Sequence, residues 1–339
     1  MKQFAKCIVE NVVSVAAPFI WRAGRARRLL VLMYHRVLPA DHPDRLTEQP
    51  GMYVSPQTLT MHVRILRQHF EFVDLYDWVR RAGSGQSVPR LACALTFDDG
   101  WRDNFEYAFP ILRAERVPAT IYVLSDLMGT QYSFWPNRLA RLLGNSPNND
   151  AYAGWPVWLR REMMQAAGTR VELPLSVTQI DAVIARCKSL QTDDAMLELL
   201  RNIDGSSHDG NGDRDLMNWD EARQMLASGL ITFGSHTRRH IRLNERTAAD
   251  MLRDEICESR WTIERQLHTS VNSFCYPNGD HCPAAVELVR AGYSAAVTTR
   301  RGWNSITTNP YLLNRVGLHE DVSSTAHAFV SRLTLAAVN

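Results

Sequence analysis

Residues 91–97 form the run Leu-Ala-Cys-Ala-Leu-Thr-Phe, which ends abruptly in Asp98-Asp99-Gly100. The apolar run predicts a buried strand of a parallel sheet, and the Asp-Asp-Gly that follows predicts a sharp turn. Two adjacent carboxylates at a strand end are costly to bury unless a cation or a metal compensates them. Taken alone, the segment also fits a solvated turn whose aspartate caps the next helix.

Strands and helices alternate on either side of this run. The other predicted strands lie at residues 29–33, 119–124, 231–234, 271–275, 295–298 and 313–318. The predicted helices lie at residues 55–70, 104–115, 248–267, 283–291 and 326–335. Repeated β-then-α units favour an α/β fold with a parallel sheet or barrel, in which residues after the strands converge on one face.

Residues 126–217 interrupt the alternation. They contain tryptophans, helical segments and the Gly-, Ser-, Asn- and Asp-rich stretch 204–215, which predicts a loop. We therefore expect residues 126–217 to be a mostly helical insertion that acts as a lid. Residues 29–125 and 218–339 are expected to form the barrel.

Residues 1–28 predict an amphipathic N-terminal helix. At about 100° per residue, one arc of this helix carries Phe4, Ile8, Val12, Val15 and Phe19. The uninterrupted apolar run is shorter than the ~20 residues that span a bilayer, and an arginine cluster follows it. The helix either lies on the anionic inner surface of the cytoplasmic membrane or packs on the protein's own core. The expected location is cytoplasmic and peripheral; export with an uncleaved N-terminal anchor is the alternative.

Composition narrows the classes of function. The 339 residues are 45% hydrophobic and 22% charged, which excludes a disordered chain, a collagen and a small disulfide scaffold. A net charge of +2 provides no strongly basic face, so no nucleic-acid partner is expected.

A second polar motif, Ser235-His236-Thr237-Arg238-Arg239-His240, follows the predicted strand at 231–234. On one helical turn, the spacing of His236 and His240 would place both imidazoles on the same face, as a metal pair requires. A carboxylate and two imidazoles with open positions suit zinc or a similar divalent ion, which can polarise a carbonyl. With the spare carboxylate as general base, this pattern indicates a hydrolase for an acyl or amide carbonyl.

The ordered set of motifs resembles the polysaccharide deacetylase family, which is also known as the NodB homology family or carbohydrate esterase family 4. The motifs are Thr96–Gly100, Ser235–His240 and Tyr276-Pro277-Asn278-Gly279, and Met33–Val37 resembles the poly-N-acetylglucosamine deacetylase-like branch. The resemblance implies a distorted (β/α) barrel of the NodB type and removal of N-acetyl groups from an amino-sugar glycan. The implied cofactor is a divalent metal, first of all Zn²⁺.

The resemblance also implies roles for individual residues. Asp98 matches the general base, and the metal ligands match Asp99, His236 and His240. The third motif implies substrate and oxyanion contacts by Tyr276, Pro277, Asn278 and Gly279, where a backbone N–H beside the proline stabilises developing charge.

Two positions depart from the family pattern. Cys275 stands where many members have an arginine that pairs with the base, and we expect His35 or Arg36 to take over this pairing. The general acid is expected to be His319, after Leu318, although water on the metal or a protonated Asp98 are alternatives. The other histidines, His62 among them, show no partner pattern and are expected at the surface.

Two other functions compete with deacetylation. A non-catalytic glycan-binding protein on a deacetylase fold is supported by the missing arginine alone. A glycosidase would need carboxylates that flank the scissile bond ~5–9 Å apart, which the adjacent Asp98 and Asp99 do not offer. For the deacetylase, an inner-membrane location favours a membrane-associated glycan precursor as substrate, whereas export favours a finished polymer.

Overall fold

The structure, a computed structural model, describes residues 13–23, 26–145, 152, 154–168, 171, 173–204 and 214–337. Its strands are β1 Arg28–Tyr34, β2 Arg36–Val37, β3 Tyr53–Val54, β4 Glu71–Phe72, β5 Leu91–Phe97, β6 Ala119–Val123, β7 Ile231–Ser235, β8 Ser273–Cys275, β9 Ala295–Arg301, β10 Asn304–Ser305 and β11 Leu313–Gly317. Each of the predicted strands is present, and the short strands β2, β3, β4 and β10 were not predicted.

Within the described residues, seven parallel strands close into a barrel in the order β1-β11-β9-β8-β7-β6-β5, with β5 pairing back to β1. The closing pair aligns Tyr34 with Phe97, so the residues that follow β1 and β5 lie side by side. Strand β4 extends β5 in parallel, and β10 pairs antiparallel with the start of β1. The predicted (β/α) barrel of the NodB type is confirmed.

Helices surround the barrel. They are α1 at residues 13–21, α2 Pro56–Arg67, α3 Leu75–Gly83, α4 Phe109–Glu115, α5 Trp135–Asn145, α6 Val157–Ala167, α7 Val177–Leu190, α8 Asp193–Asp204, α9 Trp219–Leu226, α10 Ala249–Arg253, α11 Ser259–Leu267, α12 Pro283–Gly292, α13 Glu320–Ser323 and α14 Ala326–Ala337. A π-helical segment, Asn104–Ala108, leads into α4, and another, Asp254–Glu258, joins α10 to α11.

Side chains of the barrel strands alternate between the interior and the helices. One buried cluster contains Ala92, Ala94, Leu313 and Tyr122. The strand residues that point the other way, such as Leu95, belong to the cluster that is shared with the helices. Because side chains alternate along a strand, every second residue of each strand points into the barrel, up to the polar residues at the carboxyl end of the strand. The barrel therefore delivers inward-pointing side chains from several strands to one place.

Five of the described helices, α5 to α9, lie between β6 and β7, and the first four of them, α5 to α8, share a hydrophobic cluster of their own. This segment corresponds to the insertion predicted for residues 126–217. Polar contacts tie it to the barrel: Asn137 donates to Glu48 Oε2 at 2.8 Å, and Gln49 donates to Asp181 Oδ1 at 2.7 Å. The loop residue Asp215 accepts two hydrogen bonds from Arg141 at 2.7 and 2.8 Å.

Helix α1 is attached to the barrel through one face. Ala17 and Trp21 are buried, and the Trp21 indole N–H donates to Thr334 Oγ1 at 3.0 Å. Val15 and Phe19, on the opposite face, are 74% and 80% exposed. The rest of the predicted apolar arc, in residues 1–12, lies outside the described residues. Among the helices that the structure describes, none has the length and hydropathy of a membrane-spanning segment.

His62 is not at the surface, contrary to the prediction. It lies in α2 with no exposed area, its Nδ1 is 3.1 Å from the Tyr34 hydroxyl, and its Nε2 is 2.7 Å from the carbonyl oxygen of Ser323. Its ring stacks on Phe329 with centroids 3.9 Å apart. Burial lowers its pKa to about 4, so the imidazole is neutral in the folded protein near neutral pH.

Candidate active site

Asp98 and Asp99 follow β5 at the carboxyl end of the barrel. The Asp98 N–H donates to the Tyr34 carbonyl at 2.9 Å, which continues the β1–β5 ladder by one residue. Asp99 and Gly100 then adopt φ of 74° and 71°, in the left-handed region, so the chain turns sharply. This turn gives the two carboxylates different directions although they are adjacent in sequence.

Asp98 is 2% exposed and forms a bidentate ion pair with Arg315 from β11. Nη1 donates to Oδ1 and Nη2 donates to Oδ2, both at 2.7 Å. Burial would raise the pKa of the Asp98 carboxyl, but the Arg315 guanidinium outweighs burial and holds that pKa below its usual value. Asp98 is therefore ionised, oriented and close to the point where the strands converge.

The pairing that was expected of His35 or Arg36 is thus made by Arg315. His35 does lie near the base, with Nε2 3.9 Å from Asp98 Oδ2, but this is beyond hydrogen-bond distance. Cys275 contributes to the same cluster, since its Sγ is 3.2 Å from Arg315 Nη2. Arg315 therefore supplies, from another strand of the barrel, the pairing that an arginine at position 275 would make.

Arg36 binds other carboxylates. Its Nε donates to Asp103 Oδ2 at 2.8 Å, Nη2 donates to Asp44 Oδ2 at 2.7 Å, and Nη1 donates to Glu48 Oε2. The guanidinium lies 4.3 Å from the centroid of the Trp101 ring. The prediction that Arg36 orients Asp98 was therefore wrong, because the Arg36 guanidinium is fully engaged by three other carboxylates and the Trp101 ring.

Asp99 offers one oxygen to the interior of the site. Its Oδ2 accepts the Trp101 indole N–H at 3.0 Å, whereas Oδ1 is buried with no hydrogen-bond partner among the described residues. That oxygen lies 3.4 Å from His236 Nε2 and 3.6 Å from His240 Nε2. A buried carboxylate oxygen without a partner is costly and needs compensation.

The two histidines are not on a helical turn, contrary to the prediction from their spacing. Residues 236–240 form an irregular loop after β7, in which Thr237 and His240 have φ of 71° and 65°. The loop nevertheless brings the rings together, with centroids 4.9 Å apart. His236 Nδ1 lies 2.8 Å from the Cys275 carbonyl oxygen, the geometry in which Nδ1 carries the hydrogen and Nε2 presents its lone pair.

These donors fit a divalent cation. Asp99, His236 and His240 each offer one ligand atom, and the three atoms lie within 4.8 Å of one another. Burial lowers the pKa of His240 to about 4, so this imidazole is neutral, as a ligand must be. Burial alone would lower the pKa of His236 as well, but Cys275, Asp99 and Asp98 beside it raise that pKa, so a bound metal would have to displace its proton. One carboxylate oxygen and two imidazole nitrogens leave positions open for water or substrate.

The third motif lies directly beyond the residue that holds His236. Pro277–Gly279 forms a 3-10 turn in which Asn278 and Gly279 have φ of 56° and 76°. A Cβ at position 279 would stand 2.1 Å from Thr299 Oγ1, so only glycine fits. The N–H groups of Tyr276 and Gly279 both donate to backbone carbonyls. The Asn278 N–H, by contrast, has no acceptor among the described residues.

His319 lies after β11, at the start of α13. Its Nδ1 is buried with no hydrogen-bond partner among the residues that the structure describes, and its pKa is lowered, chiefly by burial and then by Arg332. The neighbouring Glu320 accepts hydrogen bonds from Ser55 and Thr58 at the start of α2, which fixes this turn on the barrel.

Sequence analysis did not identify Arg315, the partner of Asp98. A signal for it exists, because Leu313 and Arg315 are two apart on one predicted strand and a buried strand rarely carries an arginine. Had Leu313 been placed in the interior, Arg315 would have been placed there as well, one layer closer to the strand ends.

The sequence matches the polysaccharide deacetylase family over residues 85–172 and 202–296, just over half of the chain. Comparison with curated proteins found no matching relative.

Solved structures are similar in fold. A Streptococcus pyogenes deacetylase, PplD, in complex with acetate has 16% identity and a TM-score of 0.55 over 88% of this chain and 95% of that chain. IcaB from Ammonifex degensii has 19% identity and a TM-score of 0.56 over 91% and 98% of the two chains. A de-N-acetylase from Aggregatibacter actinomycetemcomitans has 18% identity and a TM-score of 0.57 over 90% and 100%. Together with the family match and the clustered aspartates and histidines, these findings show that the chain belongs to the polysaccharide deacetylase family of de-N-acetylating hydrolases.

Proposed function

We propose that this protein is a metal-dependent hydrolase that removes N-acetyl groups from an amino-sugar glycan. The observation that carries the proposal is the division of labour between two adjacent carboxylates. Both oxygens of Asp98 are bound by Arg315, whereas Oδ1 of Asp99 is bare and faces His236 and His240. Two neighbouring carboxylates in contrasting environments are suited to two different roles.

Asp99, His236 and His240 would hold the metal, for which we propose Zn²⁺. When bound, such an ion supplies Lewis acidity toward a carbonyl oxygen and makes a nearby water more acidic. Asp98 would act as the general base: it is ionised, and the fixed guanidinium holds its carboxylate in one orientation.

The remaining roles are proposed from the positions of single groups. The free Asn278 N–H is the donor that we assign to the developing oxyanion, with Tyr276, Pro277 and Gly279 shaping the turn that presents it. His319, whose Nδ1 has no hydrogen-bond partner among the described residues and lies 3.9 Å from Asp321 Oδ2, is our candidate for the general acid that protonates the leaving amine. We also propose that His35, whose Nε2 lies 3.9 Å from Asp98 Oδ2, takes part in the proton transfers of the reaction.

The non-catalytic alternative loses its support. It depended on the missing arginine at position 275, and the bidentate pair between Arg315 and Asp98 fills that gap. A protein that only binds glycans has no need of an oriented carboxylate beside a set of metal-ligand residues. We therefore retain catalysis as the proposed function.

We further propose that the enzyme acts at the inner surface of the cytoplasmic membrane on a membrane-associated glycan precursor. The exposed Val15 and Phe19 of α1 support this, as do Arg22 and Arg27, which are also exposed. The test is co-sedimentation of the full chain with anionic phospholipid vesicles, against Phe19→Ser. If the wild type stays in solution, the membrane proposal fails, whereas the proposed activity is unaffected.

The activity is tested by acetate release from a panel of N-acetylated glycans and lipid-linked amino sugars. Metal-stripped enzyme, enzyme reloaded with Zn²⁺, Asp98→Asn and His236→Ala are compared. We expect release by the reloaded wild type alone, with each variant at least about 100-fold slower, since each lacks a group that acts on the transition state. New reducing ends without acetate, or full activity of Asp98→Asn, would contradict the proposal.

A further inference from the structure

The loop between the two histidines lacks the hydrogen bonds of a helix, so something else must hold it. Thr237 and His240 both adopt a left-handed φ, which is unfavourable for a β-branched residue and for histidine unless neighbours enforce it. Two side chains within the motif help: Ser235 Oγ accepts the Thr237 N–H at 3.2 Å, and Thr237 Oγ1 accepts the His240 N–H at 3.0 Å. Neither of these contacts reaches Arg238 or Arg239, the middle of the loop, where Asp126 donates its N–H to the Arg238 carbonyl at 3.2 Å but binds no backbone N–H of the loop.

Glu255 binds the backbone N–H groups in the middle of the loop. Its Oε2 accepts the backbone N–H of Arg238 at 2.9 Å and that of Arg239 at 3.0 Å, and its Oε1 accepts Nε of Arg239 at 2.7 Å. The side chain is completely buried. Charge-assisted bonds from a buried carboxylate to backbone N–H groups are roughly twice as strong as neutral ones, and they fix the backbone itself.

Glu255 lies in an irregular part of its helix. It lies in the π-helical segment Asp254–Glu258 between α10 and α11, where the backbone departs from the α-helical register. Such segments are often found at functional sites because they redirect a side chain without ending the helix. Here the redirected carboxylate reaches the loop that carries His236 and His240.

We propose that Glu255 is a positioning residue that fixes the spacing of His236 and His240 before a metal binds. The inference rests on the proposed metal site and adds to it the group that preorganises it. By accepting the backbone N–H groups of Arg238 and Arg239, Glu255 keeps the two histidine Nε2 atoms directed at Asp99. Partners beyond the ligands commonly contribute 10- to 100-fold to metal affinity, about the range expected here.

The test compares Glu255→Gln with Asp254→Asn. Asp254 is the matched control, because it binds the side chains of Arg238 and Arg239 but accepts no backbone N–H of the loop. The Kd for Zn²⁺ is measured by competition with a chromophoric chelator, together with the Tm of the metal-free proteins. We expect Glu255→Gln to weaken Zn²⁺ binding by about 10- to 100-fold and Asp254→Asn by less than about 3-fold.

Hydrogen exchange of the metal-free wild type provides a measurement that does not depend on a variant folding. Peptides that contain Arg238 and Arg239 should exchange slowly without metal, and about as slowly after Zn²⁺ is added. Rapid exchange that becomes slow only with Zn²⁺ would overturn the inference, because the metal rather than Glu255 would then order the loop.

The outcomes separate this inference from the proposed function. If wild type and His236→Ala bind Zn²⁺ equally, the metal site itself is wrong. If the wild type binds Zn²⁺ and His236→Ala does not, the proposed site stands. An unchanged Kd in folded Glu255→Gln would then reject the role of Glu255 alone, and a fall in Tm with no change in Kd would assign it to stability.

Discussion

The aspartates and the histidines of the site are held by different parts of the molecule. On the carboxylate side, which we define as Asp98, Asp99 and Arg315, the key contact joins residues 217 positions apart. On the imidazole side, which we define as His236, His240 and Glu255, the Glu255 carboxylate lies only 16 to 17 positions from the backbone N–H groups that it binds. The key contact of the carboxylate side is therefore made by closure of the barrel. The imidazole side combines a contact from the helix that follows its loop with longer-range hydrogen bonds from Ser125 and Asp126 to loop carbonyls.

The two sides also differ in the kind of contact that holds them. The carboxylate side depends on an ion pair buried in the barrel, so loss of one partner leaves an uncompensated charge. The imidazole side spreads its support over several backbone hydrogen bonds, two of them neutral and two charge-assisted. We expect the first side to fail abruptly and the second to weaken by steps.

Arg315→Met should produce the largest effect. It leaves the buried Asp98 carboxylate unpaired, which costs about 3–5 kcal/mol in the free energy of unfolding. Turnover should fall by about 100-fold or more, because the base is no longer held in position. Urea denaturation and acetate release measure the two effects.

Arg301→Met is the control for this prediction. Arg301 lies opposite Arg315 in the β9–β11 register but is exposed, so its loss should change stability by less than about 0.5 kcal/mol. Equal stability of the two variants would mean that the buried pair is not what holds the carboxylate side.

Acid should weaken the support beneath the carboxylate side. His62 contacts the hydroxyl of Tyr34, whose ring stacks on Phe97 directly before Asp98. The pKa of His62 is about 4 in the folded protein and 6.5 ordinarily, so the unfolded chain binds more protons between these values. Its contribution to stability is complete above pH 6.5 and is lost as the pH falls toward 4, by up to about 3 kcal/mol.

His62→Gln removes this titration. The free energy of unfolding of wild type and variant is measured by urea denaturation at several pH values from 7 to 4. We expect the wild type to lose more stability than His62→Gln over this interval. Parallel curves for the two proteins would show that His62 does not carry the acid sensitivity.

Most of the barrel could be predicted from the sequence, because the signals that mark its strands and helices lie within each segment. The run at 91–97 and the strands that alternate with helices depend on hydrophobic period and turn residues, which can be identified without knowing the fold. The clustering of Asp99 with His236 and His240 followed from one further rule, that parallel strand ends meet at one face.

The sequence could not predict contacts that depend on barrel closure or on irregular backbone. Arg315 reaches Asp98 because β1, between β5 and β11, closes the barrel, and the phase of a short strand fixes the side it faces. His62 was placed at the surface since nothing local marks Tyr34 and Ser323 as its partners. The prediction of a helical turn for His236 and His240 was wrong, because two residues of this segment have a left-handed backbone φ and the chain forms a loop instead.

A smaller effect is expected from Thr237→Val on the imidazole side. The substitution keeps the shape of the buried side chain but removes the oxygen that accepts the His240 N–H. One neutral hydrogen bond contributes about 1 kcal/mol, so stability should fall by about that amount. Urea denaturation measures the loss, and a fall of 3 kcal/mol or more would contradict the stepwise behaviour expected of this side.

Double-mutant cycles then test whether the two sides are independent. Thr237→Val and Glu255→Gln act on the same loop, so their effects on the free energy of unfolding should be coupled by about 0.5 kcal/mol or more. Thr237→Val and Arg315→Met share no hydrogen-bond partner among the described residues, so their effects should add within about 0.5 kcal/mol. Coupling across the sides as large as within one would mean that the barrel closure and the loop form a single cooperative unit. Additivity across the sides would mean that the imidazole loop can be loosened while Asp98 stays in place.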